Sequence, residues 1–395
     1  MEEVSVQYGY DALAELFSDE PARLVFYSFL GDAQTSMTTL TPPLISYGEM
    51  TAPLPESKEL WFAKTAEEWK SQFLLRSAGQ SKRPPCLGDL MRDITFLSTN
   101  HQRLDLQYAI SIYLHGYWSL IYEWRRLCSA HRWNTFMDSQ DGNGLILKLR
   151  HQEMCKALRN FQSEWHGALS AQEAMLLNLD FMYLNVSLYD LQLFMGKEGD
   201  EQARRVFPML QRWSETNEAR QSLWFAGQIL RQAKMFPPGH LKDFYAVGLY
   251  QATMTLWTYG VVTRASRNQA ATNAMSQGPV YLDGIETPEV QQFVSFGQGR
   301  PLIRGPPPSC SSNNRGETQK QSPNNANTDA NMNPSPNPSP ALEASLDDPR
   351  TCMSLAVEVL KTNFKPGKEH LPPIVENLCQ LITQLGNAAW IIGLG

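Results

Sequence analysis

QILRQAKMFPPGHLKDFYAVGLYQATMTLWTYG, Gln228 to Gly260, sets two prolines, a glycine and a histidine between two runs with helical spacing. Pro237 biases Phe236 away from the helical region and so stops the first run, Pro238 fixes its own φ, and Gly239 permits the reversal. After the turn, Leu241, Phe244, Tyr245, Ala252, Leu256 and Tyr259 form one broad apolar face. Trp224, Ile229, Leu230 and Ala233 oppose it from before the turn. The stretch predicts a helical hairpin with Pro237–His240 as its corner. His240 has only Asp243 at i+3 as a local partner, so it reads as a capping or packing residue and not as a ligand or base.

Working outward, the chain from Pro55 to about Arg264 keeps apolar residues at three-and-four spacing with almost no internal proline. Nothing there alternates with period two for long enough to predict a sheet. Expected helices include a long one from Leu104 through WRRLCSA, one over 145–169, one from Ala171 to Met195, and one from Glu201 to Phe236. The fold class is therefore all-α, a multi-helix bundle-like domain. In the Ala171–Met195 segment, Leu177, Leu184 and Leu191 stand seven apart, with Phe181, Leu188 and Met195 at the second seam position. Leu179, Met182, Tyr183 and Val186 make the opposite face apolar too, so the segment reads as a helix inside a bundle rather than a dimer zipper.

The expected organisation has four parts: an acidic, irregular leader over 1–50, a helical regulatory domain over 51–304, a disordered linker over 305–350, and C-terminal helices over 351–395 that return to the same domain. The leader carries Tyr8, Tyr10, Leu13, Leu16 and Phe17 among acidic residues. That alternation suits an activation segment or a short amphipathic helix on the domain. The linker is Asn, Pro and Ser with hardly an aromatic or β-branched residue, and it cannot bury enough apolar area to offset the entropy of ordering. Its Ser322-Pro323, Ser335-Pro336 and Ser339-Pro340 steps are candidate sites for a proline-directed kinase.

Composition excludes several functions. The net charge is −6 and the basic residues are scattered, so no stripe of Lys and Arg offers the footprint that direct DNA binding needs. The six cysteines lie far apart with no C-x-x-C pair, against a zinc module and in keeping with reduced thiols inside a cell. Glu2 and Glu3 stand where a signal peptide needs a basic start. The most apolar window is broken by Asn178, Asp180, Asn185 and Asp190, so no membrane span is expected.

Candidate chemical motifs are few. His151 and Cys155 share one helix face at i, i+4, short of the three or four ligands that zinc takes. His115 and His166 sit among aromatics, where a core or interface histidine is the ordinary outcome. Asp347-Asp348 is the only aspartate pair resembling a magnesium cluster of a helical synthase, and Pro349 follows it inside the linker. Asp141–Gly144 and Gly297–Pro301 are short glycine motifs that follow no predicted strand and read as turns. No catalytic or metal-ligating residue is assigned, no cofactor is expected, and any cofactor-binding residue is left unspecified.

Four phrases together resemble the fungal-specific transcription factor domain, in the form found downstream of two-cysteine two-histidine zinc fingers. They are Leu54-Pro55 with Leu60-Trp61, Ala63 and Trp69; the opening helix–Pro-Pro-Gly-His–helix stretch; Leu282-Asp283-Gly284 with Gly297–Pro301; and the closing ENLCQLITQLGNAAW. The resemblance covers about 44–305 and again from Met353 onward. It implies a non-enzymatic nuclear regulator of transcription, over a metabolic or biosynthetic gene set. It implies as partners other transcription regulators or a homodimer copy, with a small-molecule effector of unknown kind. The zinc fingers of that family have no counterpart in this sequence, so DNA contact is expected only indirectly, through a missing N-terminal segment or a partner. The rival reading is a helical accessory protein or enzyme of a biosynthetic pathway.

Overall fold

A computed structural model describes residues 22–77, 83–134, 142–267, 278–306, 342–364 and 370–392. In chain order the helices are α1 (22–39), α2 (Lys58–Trp61), α3 (Ala66–Ser77), α4 (Leu87–Arg92), α5 (Thr95–Asn100), α6 (Leu106–Asn134) and α7 (Gly142–Trp165). They continue with α8 (Ala171–Asn185), α9 (Leu188–Phe194), α10 (Asp200–Ser214), α11 (Asn217–Ala233), α12 (Asp243–Arg267), α13 (Pro288–Phe296), α14 (Pro349–Thr362) and α15 (Pro373–Ile392). The all-α expectation holds, with one small addition. β1 (Pro279–Tyr281) pairs parallel with β2 (Arg300–Arg304), which pairs antiparallel with β3 (Glu343–Ser345). Strands this short carry too few residues for an alternation to stand out in the sequence.

The centre is α8. Ser170 accepts from the Glu173 amide while the Glu173 carboxylate accepts from the Ser170 amide at 2.8 Å, a reciprocal cap that sets the start of the helix. From Met175 to Asn185 every residue is buried, as a helix apolar all round must be. α6, α7, α11 and α12 pack around it. Leu177, Leu184 and Leu191 all lie in this core.

Two expected helices are each two. Val186 is extended at φ −139°, ψ 142°, and Ser187 accepts from the Asp190 amide to begin α9. A carbonyl at the break is bonded by a side chain: Trp213 Nε1 donates to Asn185 O at 3.1 Å. The heptad seam drawn through Ala171–Met195 is thereby interrupted after Asn185. Likewise Glu201–Phe236 divides at Thr216, whose hydroxyl accepts from the Ala219 amide at 3.1 Å and caps α11.

The irregular leader also needs correction over 22–39. Ala22, Phe26, Phe29, Ala33 and Met37 recur at four-three-four-four spacing and are all buried, and the resulting α1 is tied to the bundle by side chains. Trp118 Nε1 donates to Ser36 Oγ at 2.8 Å, and Gln251 Nε2 donates to Met37 O at 2.9 Å. An ion network anchors the N-terminal end: Arg23 meets Asp105 at 3.4 Å, and the fully buried Arg103 meets Glu56 at 2.7 Å. The leader's possible activation segment, residues 1–20, lies outside the described residues.

The Pro237–His240 corner forms as predicted, with Gly239 at φ 77°. What the sequence did not reveal is its clasp. Asn363, just past α14, donates through Nδ2 to Phe236 O and Pro237 O at 3.1 Å each. Its Oδ1 accepts from the Leu241 amide at 2.9 Å and its carbonyl from the Gly239 amide at 2.8 Å. α14 and α15 pack on each other and on α12, and Trp257 Nε1 donates to Leu385 O at 2.9 Å. The expected linker overlaps this ordered part at its C-terminal end: β3 and the first residues of α14 fall within 342–350, and Asp348 caps α14 by accepting from the Thr351 amide at 3.2 Å. Residues 307–341, with all three Ser-Pro steps, lie outside the described residues.

Candidate functional site

α11 presents two faces. One, with Leu223, Ala226 and Leu230, is buried in the core. The other bears amides and guanidiniums, and several of them bond main-chain carbonyls of the segment that follows β1. Gln228 Nε2 donates to Leu282 O at 2.8 Å and to Gly284 O at 3.0 Å, and Arg231 Nη1 donates to Gly284 O at 2.9 Å. Asn217 Nδ2 and Arg220 Nε both donate to Val294 O, at 2.8 and 2.9 Å. Close approach requires Gly227: a Cβ there would stand 2.3 Å from Leu282 O. Asp283 of the same segment is buried against Lys234 Nζ at 2.6 Å and Arg304 Nε at 3.6 Å. Thus α11 holds 282–295 as a fixed wall.

Between that wall, α11, the C-terminal half of α7 and the first turns of α8 lies an open cleft of about 900 Å³, within the size range of small-molecule sites. Leu177, Phe225 and Val290 line its apolar part, and Phe225 is held flat against Phe181, ring centroids 4.5 Å apart. Asn178 and Gln228 are the buried amides, 6% and 9% exposed. Arg159 and Arg231 share the lining with a single carboxylate, Glu286, which already accepts from Gln291 Nε2 at 3.2 Å. This is a binding geometry. The lining holds no nucleophile paired with a base: His166, the one imidazole on it, is exposed and makes no hydrogen bond among the described residues.

The histidines, cysteine and glycine motifs singled out from sequence as candidate chemical groups fall elsewhere, His166 excepted. His151 Nε2 meets Cys155 Sγ at 3.6 Å, and the imidazole stacks on Trp124 with centroids 5.2 Å apart. Burial pushes the Cys155 thiol up and the His151 imidazole down, so both are neutral near pH 7. Among the described residues no three His, Cys, Asp or Glu side chains come together as a metal site. His115 is fully buried: Nδ1 donates to Ser111 O at 2.7 Å, and Nε2 accepts from Gln34 Nε2 at 3.2 Å. Burial lowers its pKa to about 4. His240 is exposed at the corner, its Nδ1 3.1 Å from Pro238 O. Gly297 ends α13 in the left-handed region and leads into β2, a turn as expected. Asp141 lies outside the described residues, while Gly142 opens α7. No helix among the described residues is long and apolar enough to cross a membrane.

Sequence reasoning missed Asp180. It is fully buried in α8, neither carboxylate oxygen has a hydrogen-bond partner among the described residues, and burial holds its carboxyl well above the usual range. Its interruption of an apolar run was visible, but its isolation was not, because that depends on what the other helices bring opposite.

No protein-family model matches the chain, and no solved structure matches it. Three fungal proteins do. Transcription factor PfmaH of Pestalotiopsis fici is 23% identical over 264 residues, 63% of this chain and 27% of that protein. A transcription factor of Zymoseptoria tritici is 24% identical over 298 residues, 66% of this chain and 29% of that protein. Transcription factor 1 of Elsinoe fawcettii is 20% identical over 309 residues, 71% of this chain and 31% of that protein. The chain spans less than a third of the length of each of these relatives. In sequence the chain is distantly similar, over most of its length, to fungal proteins named as transcription factors.

Proposed function

We propose that this chain is the helical regulatory part of a transcriptional regulator that acts in the nucleus on a metabolic or biosynthetic gene set. The observation that carries the reading is the similarity, across 63–71% of the chain, to three fungal proteins named transcription factors. The four phrases that resemble the fungal-specific transcription factor domain support it from the sequence side. Three of them fall at structural joints: the clasped corner, the 282–284 segment across Gly227, and the closing α15. Side chains at such joints fix geometry, which suits a scaffold that presents surfaces.

DNA is reached through another segment or a DNA-binding partner, since the basic residues form no stripe. Other regulators, or a second copy of the chain, are the partners this reading supplies. Chromatin occupancy of the tagged protein, with transcript profiling of a deletion strain, tests it. Enrichment at a defined set of promoters and altered messenger levels of those genes are expected. Loss of a metabolic product with unchanged messenger levels would instead favour the rival reading, a helical accessory protein or enzyme of a biosynthetic pathway.

A further inference from the structure

The cleft has a chemical polarity that narrows its ligand. Asn178 and Gln228 are both more than nine-tenths buried. Each uses its NH2 group on the backbone: Asn178 Nδ2 donates to Ala174 O at 2.7 Å, and Gln228 Nε2 to Leu282 O and Gly284 O. Their carbonyl oxygens take no hydrogen among the described residues, yet neither is sealed in the core. The buried polar capacity these two amides leave to the cleft is therefore acceptor capacity, and a ligand that covers them without bringing donors leaves two desolvated oxygens unpaired.

The charged groups point the other way. Arg159 makes no ion pair among the described residues, and Arg231 bonds only a backbone carbonyl. The two guanidiniums exceed the single Glu286 carboxylate by one charge, and guanidinium favours planar carboxylate through paired N–H donors. Between these polar groups lie Leu177, Trp224, Phe225 and Val290, walls for a flat apolar body.

We infer that this cleft binds a hydroxylated aromatic carboxylic acid, with ring hydroxyls on Asn178 and Gln228, the ring body against Trp224 and Phe225, and the carboxylate at Arg159 and Arg231. As a regulatory signal this inference rests on the reading under Proposed function; as a binding site it stands alone.

The test uses the purified full chain and three probes: hydroxybiphenylcarboxylate, biphenylcarboxylate without the hydroxyl, and hydroxybiphenyl without the carboxylate. Binding is followed by calorimetry and tryptophan fluorescence. The complete probe is expected to bind saturably and about tenfold tighter than either truncated one, the worth of one buried polar contact. Asn178→Leu should abolish the advantage of the hydroxyl, and Arg159→Gln, at an exposed position, should reduce the advantage of the carboxylate. A melting curve identifies any Asn178→Leu protein that fails to fold, in which case Arg159→Gln decides. Absence of saturable binding, equal affinity for the three probes, or variants with an unchanged ranking would overturn the inference. Promoter occupancy without probe binding would remove the site and leave the regulator; probe binding without occupancy would do the reverse.

Discussion

His115 and Asp180 are both buried titratable groups, and they give stability opposite slopes in pH. His115 is neutral in the fold, its pKa lowered from 6.5 to about 4 by burial, with Nδ1–H on Ser111 O and Nε2 accepting from Gln34. Because the unfolded chain takes up the proton first, stability is lost as pH falls from about 6.5 toward 4, by about 3 kcal/mol over that interval. Urea unfolding across this range should show the loss, and His115→Gln should flatten it. Asp180 is the reverse case, its folded carboxyl raised by burial above the unfolded value. Its contribution is intact below about pH 3.9 and declines as pH rises toward the folded value. Asp180→Leu, equal in shape and without the unpaired oxygens, is expected to stabilise the chain at neutral pH by about 1–3 kcal/mol, read as a rise in melting temperature. The positions of both residues were plain in the sequence. Their burial was not, nor was the bond from Gln34 to His115, since Gln34 comes from α1, 81 residues away.

At the scale of elements, local chemistry decides where helices begin and end, and contacts from distant segments decide how those ends are held. Ser170, Ser187, Thr216 and Asp348 each cap a helix through the amide three residues ahead. Ser187 and Thr216 could have divided the two over-long helices, had their hydroxyls been weighed against an unbroken apolar period. α1 was readable from Phe26, Phe29, Ala33 and Met37, but its Ser and Thr content masked the period. The clasp of Asn363 on the corner was not readable, because 122 residues separate it from Leu241. Nor was the contact of Gly227 with Leu282. Gly227→Ala should be destabilising by about 1–3 kcal/mol, since two backbones must separate to admit one methyl group. Loss of protection from hydrogen exchange in 279–296, with α6 and α7 unaffected, would locate the damage at the wall of the cleft.

For the molecule as a whole, the ends of the long insertion are brought together by the sheet. Gly305 N donates to Leu342 O at 2.7 Å, and Arg304 pairs with Glu343. Replacing 307–341 by a short Asn-Gly turn is therefore expected to leave the melting temperature within a few degrees of the parent. A collapse of the transition would mean that the replaced segment contributes to the core. Trimming the chain after 364 should be far more damaging. It removes α15 and with it the buried Val375 and Ile382 that α15 packs against α12 and α14.

The sequence by itself determined the helical class, the corner at Pro237–His240, the core position of the α8 leucines and the return of the C-terminal helices. The first three are set by a residue's own backbone preference or by apolar spacing within one segment, which act over a few residues, and the fourth by two short helices being too small to bury a core alone. Tertiary structure alone decided the clasp by Asn363, the isolation of Asp180 and the cleft. The cleft draws Arg159 from α7, Asn178 from α8, Gln228 and Arg231 from α11 and Glu286 from the segment after β1. No spacing rule links side chains on four elements, and amides that look solvent-facing along one helix become the lining of a pocket only when the others close around them.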